Sequence, residues 1–419
     1  MHDFDYDKAG QLCCAEVPLE RIAREIGTPF YCYSLPTLRR HIQAFEEPLA
    51  GIDHQTCFAM KANSNLAILT LMAHHGLGAD VVSGGELFRA LKAGIPASKV
   101  VYSGVGKTTV EIDMAIQAGI MMFNIESEQE LEVINERAGV LRKKAPISIR
   151  VNPDVDPQTH PYISTGMKQN KFGIDIEGTL RQYLRAKDMK HLEIVGIACH
   201  IGSQLTDISP FIDAIERLKV LMANIKDLGI EFKYLDLGGG LGITYSSEHP
   251  PLPKEYGAAI IDAVRDLNIK LIFEPGRVIV GNAGVMVTRV LYRKESDKKT
   301  FIIVDAGMND LIRPALYGAY HDIRPLVVRT GPTEKADVVG PICESSDFLA
   351  KDRDLPPLFR GDLIAVMSAG AYGFTMASNY NSRPKPPEVL VDGQNYSVVI
   401  NRQSYEDLIA GESVPDGLV

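Results

Sequence analysis

The sequence predicts an α/β chain, a (β/α)8 barrel of the TIM type followed by a β-rich C-terminal domain. Three observations carry this. Eight short β-rich apolar runs alternate with amphipathic segments through the first two thirds of the chain. After about residue 280 the helical segments thin out and short strands follow one another, separated by Gly, Pro and Asp. The length, 419 residues, is too great for one ordinary compact domain and suits two.

The barrel strands are expected at Thr56–Met60, Gly78–Val82, Val100–Ser103, Met122–Ile125, Ile147–Val151, Ile194–His200, Tyr234–Leu237 and Lys270–Glu274. Between them lie helical patterns such as Glu86–Ala93, Glu128–Arg137 and Phe211–Leu228, several closed by a glycine: Gly94, Gly119 and Gly229. Eight such units span about 220 residues, close to the ~250 of a barrel. A doubly wound sheet is the alternative, but it carries its Gly-rich turn after the first strand, and here that turn follows the seventh. The second domain is expected to hold strands at Val285–Leu291, Phe301–Val304, Leu326–Arg329, Ala336–Val339, Asp362–Met367, Glu388–Val391 and Tyr396–Ile400. The expected division is a leading segment, 1–30, pairing with the β domain, a barrel over 31–280 and the β domain over 281–419; Phe30–Ser34 is a strand that can join the β domain. The polar stretches 152–173 and 341–360 read as long functional loops.

Composition narrows the function classes. Apolar residues make up 45% and charged residues 23%, enough for a large core without disorder. A net charge of -9 argues against nucleic acid as a partner, which needs a basic face. No run approaches the ~20 apolar residues of a membrane span, and the acidic start, MHDFDYDK, is no signal peptide. The six cysteines show neither CxxC spacing nor framework density and read as reduced thiols of a cytoplasmic protein. No HExxH or Cys/His cluster stands at ligand spacing, so no metal is expected.

Catalytic groups of a barrel gather at the C-terminal ends of its strands. There the sequence puts Lys61 after strand one, Asp80 on strand two, His200 before Ile201-Gly202-Ser203, Gly238-Gly239-Gly240 after strand seven, and Glu274-Pro275-Gly276-Arg277 after strand eight. Each alone has a bland reading: a solvated strand end, a hydrogen-bonded core histidine, a tight turn, a surface ion pair. Together they meet one set of demands. Phosphate sites in barrels favour the loops after strands seven and eight, where the glycine run and Pro-Gly-Arg lie. A pyridinium nitrogen needs an acid beside it, and Glu274 can supply one. An aldehyde needs an amine, and strand one adjoins strand eight when the barrel closes. Those are the demands of pyridoxal 5'-phosphate.

On these residues the chain resembles the barrel-type, alanine-racemase-like decarboxylases, and within them the diaminopimelate decarboxylases, from about Gly27 to Leu408. The motifs, in family order, are Phe58-Ala59-Met60-Lys61-Ala62-Asn63, His200-Ile201-Gly202-Ser203, Gly238-Gly239-Gly240-Leu241-Gly242, Glu274-Pro275-Gly276-Arg277, Cys343-Glu344-Ser345-Ser346-Asp347 and Gly370-Ala371-Tyr372-Gly373. The resemblance implies that Lys61 holds the cofactor, that His200 stacks on its ring and that Glu274 meets the ring nitrogen. Ser203, Gly239, Gly240 and Gly276 would hold the phosphate, with Asp80, Pro275, Arg277 and Tyr372 around the cofactor. Cys343 would donate a proton, reaching in from the other subunit of a homodimer with shared active sites; its bland reading is a structural thiol.

The implied substrate is meso-diaminopimelate, decarboxylated to L-lysine as the last step of lysine biosynthesis. Arg313, Tyr317 and Arg277 would take its distal carboxylate, with Glu344 at the distal ammonium and Tyr372 near the substrate. The bland reading of Arg313 is an ion pair with Asp310 or Asp322. Three other functions compete: decarboxylation of ornithine, lysine or arginine, racemisation on a related barrel with Tyr372 as second base, and a non-catalytic pyridoxal-phosphate carrier or regulator.

Overall fold

The structure is a computed structural model, and it describes residues 2–155 and 171–418. The chain divides into two compact units, residues 40–279 and a second unit made of residues 1–39 and 280–419.

The first unit is a closed parallel barrel. Its eight strands are His54–Ala59, Gly78–Val81, Val100–Tyr102, Met122–Ile125, Ala145–Asn152, Leu192–Cys199, Tyr234–Asp236 and Lys270–Phe273. Each pairs with the next, and Lys270–Phe273 closes the ring against His54–Ala59. A short ninth strand, Ile174–Asp175, lies outside the ring on Ala145–Asn152. Helices enter on side-chain caps: Ser83, Thr108, Ser127 and Asp175 each accept a backbone N–H in the first turn. The helix Thr109–Ala118 ends on Gly119 in the left-handed conformation, as the glycine signal requires.

Strand side chains alternate, so residues two apart share a face. Val101, Met122 and Ile272 pack together with Cys57 and Val195 as an apolar cluster inside the ring. One step toward the C-terminal ends, the same faces carry Ser103, Asn124 and Glu274, joined by Asp236 and Ser148, all buried. The barrel interior is thus apolar below and polar at the mouth.

The second unit is built on the long strand Gly284–Glu295, which pairs with Phe30–Ser34, Thr300–Val304 and Leu363–Val366. Phe30–Ser34 also carries Glu388–Asp392 on its other edge, so this early strand is woven into the late domain. A three-stranded sheet, Phe4–Tyr6, Leu12–Cys14 and Val17–Pro18, adds Phe4, Leu12, Cys14 and Val17 to a core with Phe30, Val285, Val287 and Val389.

Two expectations are corrected. The stretch 341–360 is not one long loop: Phe348–Leu355 is a strand, antiparallel to Glu334–Val339. Its charged run, Lys351-Asp352-Arg353-Asp354, hid it, because none of these four consecutive residues is buried and Asp352 sits at φ 50°, breaking the register. Leu326–Arg329 is not a strand either; the strand is Ile323–Pro325, and Val327 makes a single bridge to Gln11. Most of the stretch 152–173 lies outside the described residues.

Candidate active site

The sequence places Lys61 at a strand end; the structure places it in a one-turn 3-10 helix, Met60–Ala62, just past the strand. That turn lifts its side chain beside Asp80, with Nζ 3.2 Å from Oδ2. Asp80 is 1% exposed, and its Oδ1 has no hydrogen-bond partner among the described residues.

Glu274 follows the eighth strand directly and is 6% exposed. Its Oε1 is buried and has no hydrogen-bond partner among the described residues. Burial, then the charges of Asp236 and Asp80, hold this carboxyl well above the usual range, and Lys61 opposes them. Asp236 ends the seventh strand and was not among the residues singled out from the sequence. It accepts from Asn124 Nδ2 and from the Gly238 N–H, both at 2.9 Å. Asn124 in turn donates to Ser103 Oγ at 3.1 Å and accepts from Ser148 Oγ at 2.7 Å. Burial lifts the Asp236 carboxyl to about 6 despite those donors. The mouth therefore holds three buried carboxyl groups around one lysine, an arrangement that attracts a cation and disfavours three simultaneous negative charges.

The phosphate side is built from backbone. A Cβ on Gly239 would stand 2.1 Å from the Glu274 carbonyl oxygen, so no side chain fits where the two loops meet. Gly240 has φ 123°, which other residues reach only under strain. Arg277 is 6% exposed and donates from Nη2 to Ser203 Oγ at 2.9 Å and from Nη1 to Tyr245 Oη at 2.7 Å. Ala59 N–H donates to Pro275 O at 3.1 Å, which ties the first strand's end to the loop that holds Gly276.

His200 Nδ1 accepts the Gly239 N–H at 3.2 Å. Its proton therefore sits on Nε2, and lost hydration with the nearby Lys61 and Arg150 charges pushes its pKa well below the ordinary value. A neutral ring at the mouth suits stacking on a flat heteroaromatic group. Arg150 Nη1 is held by Glu126 Oε1 at 2.7 Å, and Glu126 also takes the N–H groups of Gly104 and Gly173.

The structure thus brings together Lys61, Asp80, His200, Ser203, Gly239, Gly240, Glu274, Pro275, Gly276 and Arg277 in one unit. Their chemistry fits pyridoxal phosphate: an amine for the aldehyde, a buried carboxyl with one orphaned oxygen for the ring nitrogen, and N–H groups with a guanidinium for the phosphate. Asp236, Asn124 and the Glu126–Arg150 pair escaped the sequence reading. The signal was there for Asp236, an acid two residues after Tyr234 on a barrel strand and two residues before the glycine run.

The remaining candidates lie in the β unit. Cys343 and Glu344 are exposed on a loop that Asp347 pins by accepting the N–H groups of Ile342 and Met308, each at 2.6 Å. Tyr372 is half-buried with φ 56°, a conformation that a tyrosine seldom adopts without a tight turn to hold it. Arg313 and Tyr317 share the short helix Arg313–Tyr317, with Arg313 buried and Tyr317 half-buried. Asp322 is taken by Arg324 at 2.8 Å, and the Asp310 carboxylate accepts from Gly307 N–H and Asn309.

Comparison with known proteins agrees with this geometry. Residues 35–281 match the model of the pyridoxal-dependent decarboxylase family's pyridoxal binding domain. A diaminopimelate decarboxylase of Vibrio cholerae is 53% identical over 415 residues, 99% of each chain. One from Aquifex aeolicus is 49% identical over 401 residues, 96% of this chain and 95% of the relative. Among solved structures, Helicobacter pylori diaminopimelate decarboxylase complexed with L-lysine has a TM-score of 0.90 at 45% identity, covering 94% of this chain and 98% of that one. The M. jannaschii enzyme in co-complex with L-lysine has a TM-score of 0.93 at 41% identity, covering 100% of both chains. The fold and the mouth define a pyridoxal-dependent decarboxylase. Within that class, the chain belongs to the diaminopimelate decarboxylase family.

Proposed function

We propose that the protein decarboxylates meso-diaminopimelate to L-lysine, the last step of lysine biosynthesis, with pyridoxal phosphate as cofactor. The observation that carries the reading is Glu274, a buried carboxyl with an orphaned oxygen, in the same barrel mouth as Lys61 and the glycine cradle.

When bound, the cofactor supplies a conjugated electron sink for the pair left on the substrate α-carbon as its carboxylate departs as carbon dioxide. The chain does the rest. Lys61 would anchor the cofactor through its amine, with Asp80 holding that amine in place. Glu274 would keep a proton at the ring nitrogen, which is the use of a buried acid whose neighbours already crowd it with negative charge. His200, neutral, would stack on the ring. Ser203, Gly239, Gly240 and Gly276 would bind the phosphate, and Arg277, already on Ser203, would add the cation. Cys343 delivers the proton that replaces the lost carboxylate.

At the far end of the substrate Arg313, Tyr317 and Arg277 take the second carboxylate, and Glu344 takes the second ammonium. Tyr372 sits beside cofactor and substrate. The protein works as a homodimer in the cytoplasm, and the Cys343 loop of one chain completes the barrel mouth of its partner. Exposure of Cys343 and Glu344 on a loop held from behind by Asp347 supports that role. Among the described residues no helix is long and apolar enough to cross a membrane.

The test is to incubate purified protein and pyridoxal phosphate with a panel of amino acids and to measure carbon dioxide and product. Lysine from meso-diaminopimelate is expected. Equal turnover of ornithine or L-lysine would overturn the substrate assignment, and racemisation without carbon dioxide would overturn the reaction.

A further inference from the structure

Behind Arg313 in the β unit stands a fully buried histidine, 0% exposed, that has no part in the reading above: His321, eight residues along the chain. Arg313 Nη1 lies 2.9 Å from His321 Nε2, and His321 Nδ1 lies 2.7 Å from the Met367 carbonyl oxygen. A guanidinium only donates and a backbone carbonyl only accepts, so the two contacts fix the ring between them. Nδ1 carries the proton and gives it to Met367 O; Nε2 offers its lone pair to Arg313. A protonated ring would set N–H against N–H at the Arg313 end.

The support behind the ring is rigid. Met367 follows the strand Leu363–Val366, which is paired with both Gly284–Glu295 and Ile323–Pro325. The Met367 N–H donates to Asp322 O at 2.9 Å, so the carbonyl that grips the imidazole belongs to a residue bonded back to His321's own neighbour.

A neutral support has a chemical consequence. A carboxylate would hold a guanidinium more strongly but would cancel its charge. The imidazole lone pair orients the fork without itself cancelling the positive charge.

We propose that His321 is a positioning residue, which as the neutral Nδ1–H tautomer aims the Arg313 guanidinium at the distal carboxylate of a diamino-dicarboxylic substrate. This rests on the assignment of Arg313 to that carboxylate. The experiment uses the holoenzyme with His321→Phe, His321→Gln, Arg313→Ala and the double variant Arg313→Ala/His321→Phe. Phe keeps the ring's bulk without the acceptor and is expected to raise KM for meso-diaminopimelate by about tenfold, the scale of one hydrogen bond to a charged group, with kcat and the cofactor absorption spectrum nearly unchanged. Gln offers a carboxamide oxygen and is expected to stay within about threefold of wild type on the same scale.

In the Arg313→Ala background the Phe change is expected to add nothing, because His321 acts only through Arg313. An equal penalty in both backgrounds, or a Gln variant as impaired as Phe, means a merely structural histidine and overturns the inference. If Arg313→Ala itself leaves KM unaltered, the parent assignment fails instead. Should the Phe variant fail to fold, 15N-histidine resonances of the wild-type holoenzyme, with His321→Gln for assignment, decide the matter. A neutral ring protonated at Nδ1 is expected; a ring protonated at Nε2 or at both nitrogens overturns it.

Discussion

Replacing Asp236 by Asn tests the electrostatics of the barrel mouth without touching Lys61 or Glu274. Burial lifts the Asp236 carboxyl from 3.8 to about 6. At 1.36 kcal/mol per pKa unit this is roughly 3 kcal/mol of differential interaction. The sign follows from linkage. A carboxyl whose folded pKa is raised contributes stability that is fully present below its unfolded pKa, near 3.8, and is lost as pH rises through the folded value, near 6. Cofactor-free wild type should therefore lose that stability between about pH 4 and pH 7. An asparagine carries no charge at any pH and escapes the loss. It keeps one carbonyl acceptor where Asp236 has two oxygens for the Asn124 amide and the Gly238 N–H. One weakened bond costs about 1 kcal/mol. The net expectation is near equality at pH 4.5 and a gain of about 2 kcal/mol for the variant at pH 8. The chain has no tryptophan, so urea unfolding of the cofactor-free proteins is followed by circular dichroism. The two carboxyls titrate as a pair, so Glu274→Gln should show the same trend. A difference that is flat with pH, or a variant less stable at pH 8, refutes the reasoning.

Borohydride reduction of the holoenzyme should fix the cofactor to the peptide containing Lys61, and Lys61→Ala should lose turnover while staying folded, as a change at a half-exposed position does little to stability; label on any other lysine rejects the assignment. Mixing inactive Lys61→Ala with inactive Cys343→Ala chains should restore part of the activity, since a hybrid dimer holds one intact site; no recovery after verified subunit exchange rejects the shared site. Gly239→Ala should abolish cofactor binding, read by absorbance, because the new methyl meets the Glu274 carbonyl at 2.1 Å. Arg313→Ala should cut kcat/KM for meso-diaminopimelate by at least ~10²-fold and leave the cofactor spectrum unchanged, the signature of a lost substrate contact.

Much of the barrel was legible because βα alternation, glycine caps and strand length all point the same way. Met122–Ile125 was read to the residue, and the other seven strands to within two residues at either end. The convergence at the mouth was legible because a barrel has one catalytic face, so a lysine, a histidine, a glycine run and an acid at strand ends must meet there. What escaped has physical reasons. Phe348–Leu355 hides behind a charged, outward-facing run. The mouth's supporting layer, Ser103, Asn124, Ser148 and Asp236, comes from four strands far apart in sequence, and no local pattern links a serine on one to an acid on another. His321 stood one turn past the Arg313–Tyr317 motif. Only the two atoms it touches tell its role.

The layering of the barrel explains why the acids can stand where they do. A carboxyl among Cys57, Val101, Met122, Val195 and Ile272 would meet only carbon and sulfur. One step higher, Asp236 meets two N–H donors and Glu274 faces Asp236, Asp80 and Lys61. Charge is tolerable there but not comfortable, because the acids outnumber the one lysine beside them. A cationic ring nitrogen relieves that crowding, so the same repulsion that weakens the empty barrel strengthens its hold on a protonated cofactor. Affinity for the ring and instability of the cofactor-free state are then two readings of one arrangement, and a substitution that removes one carboxyl should lower both together.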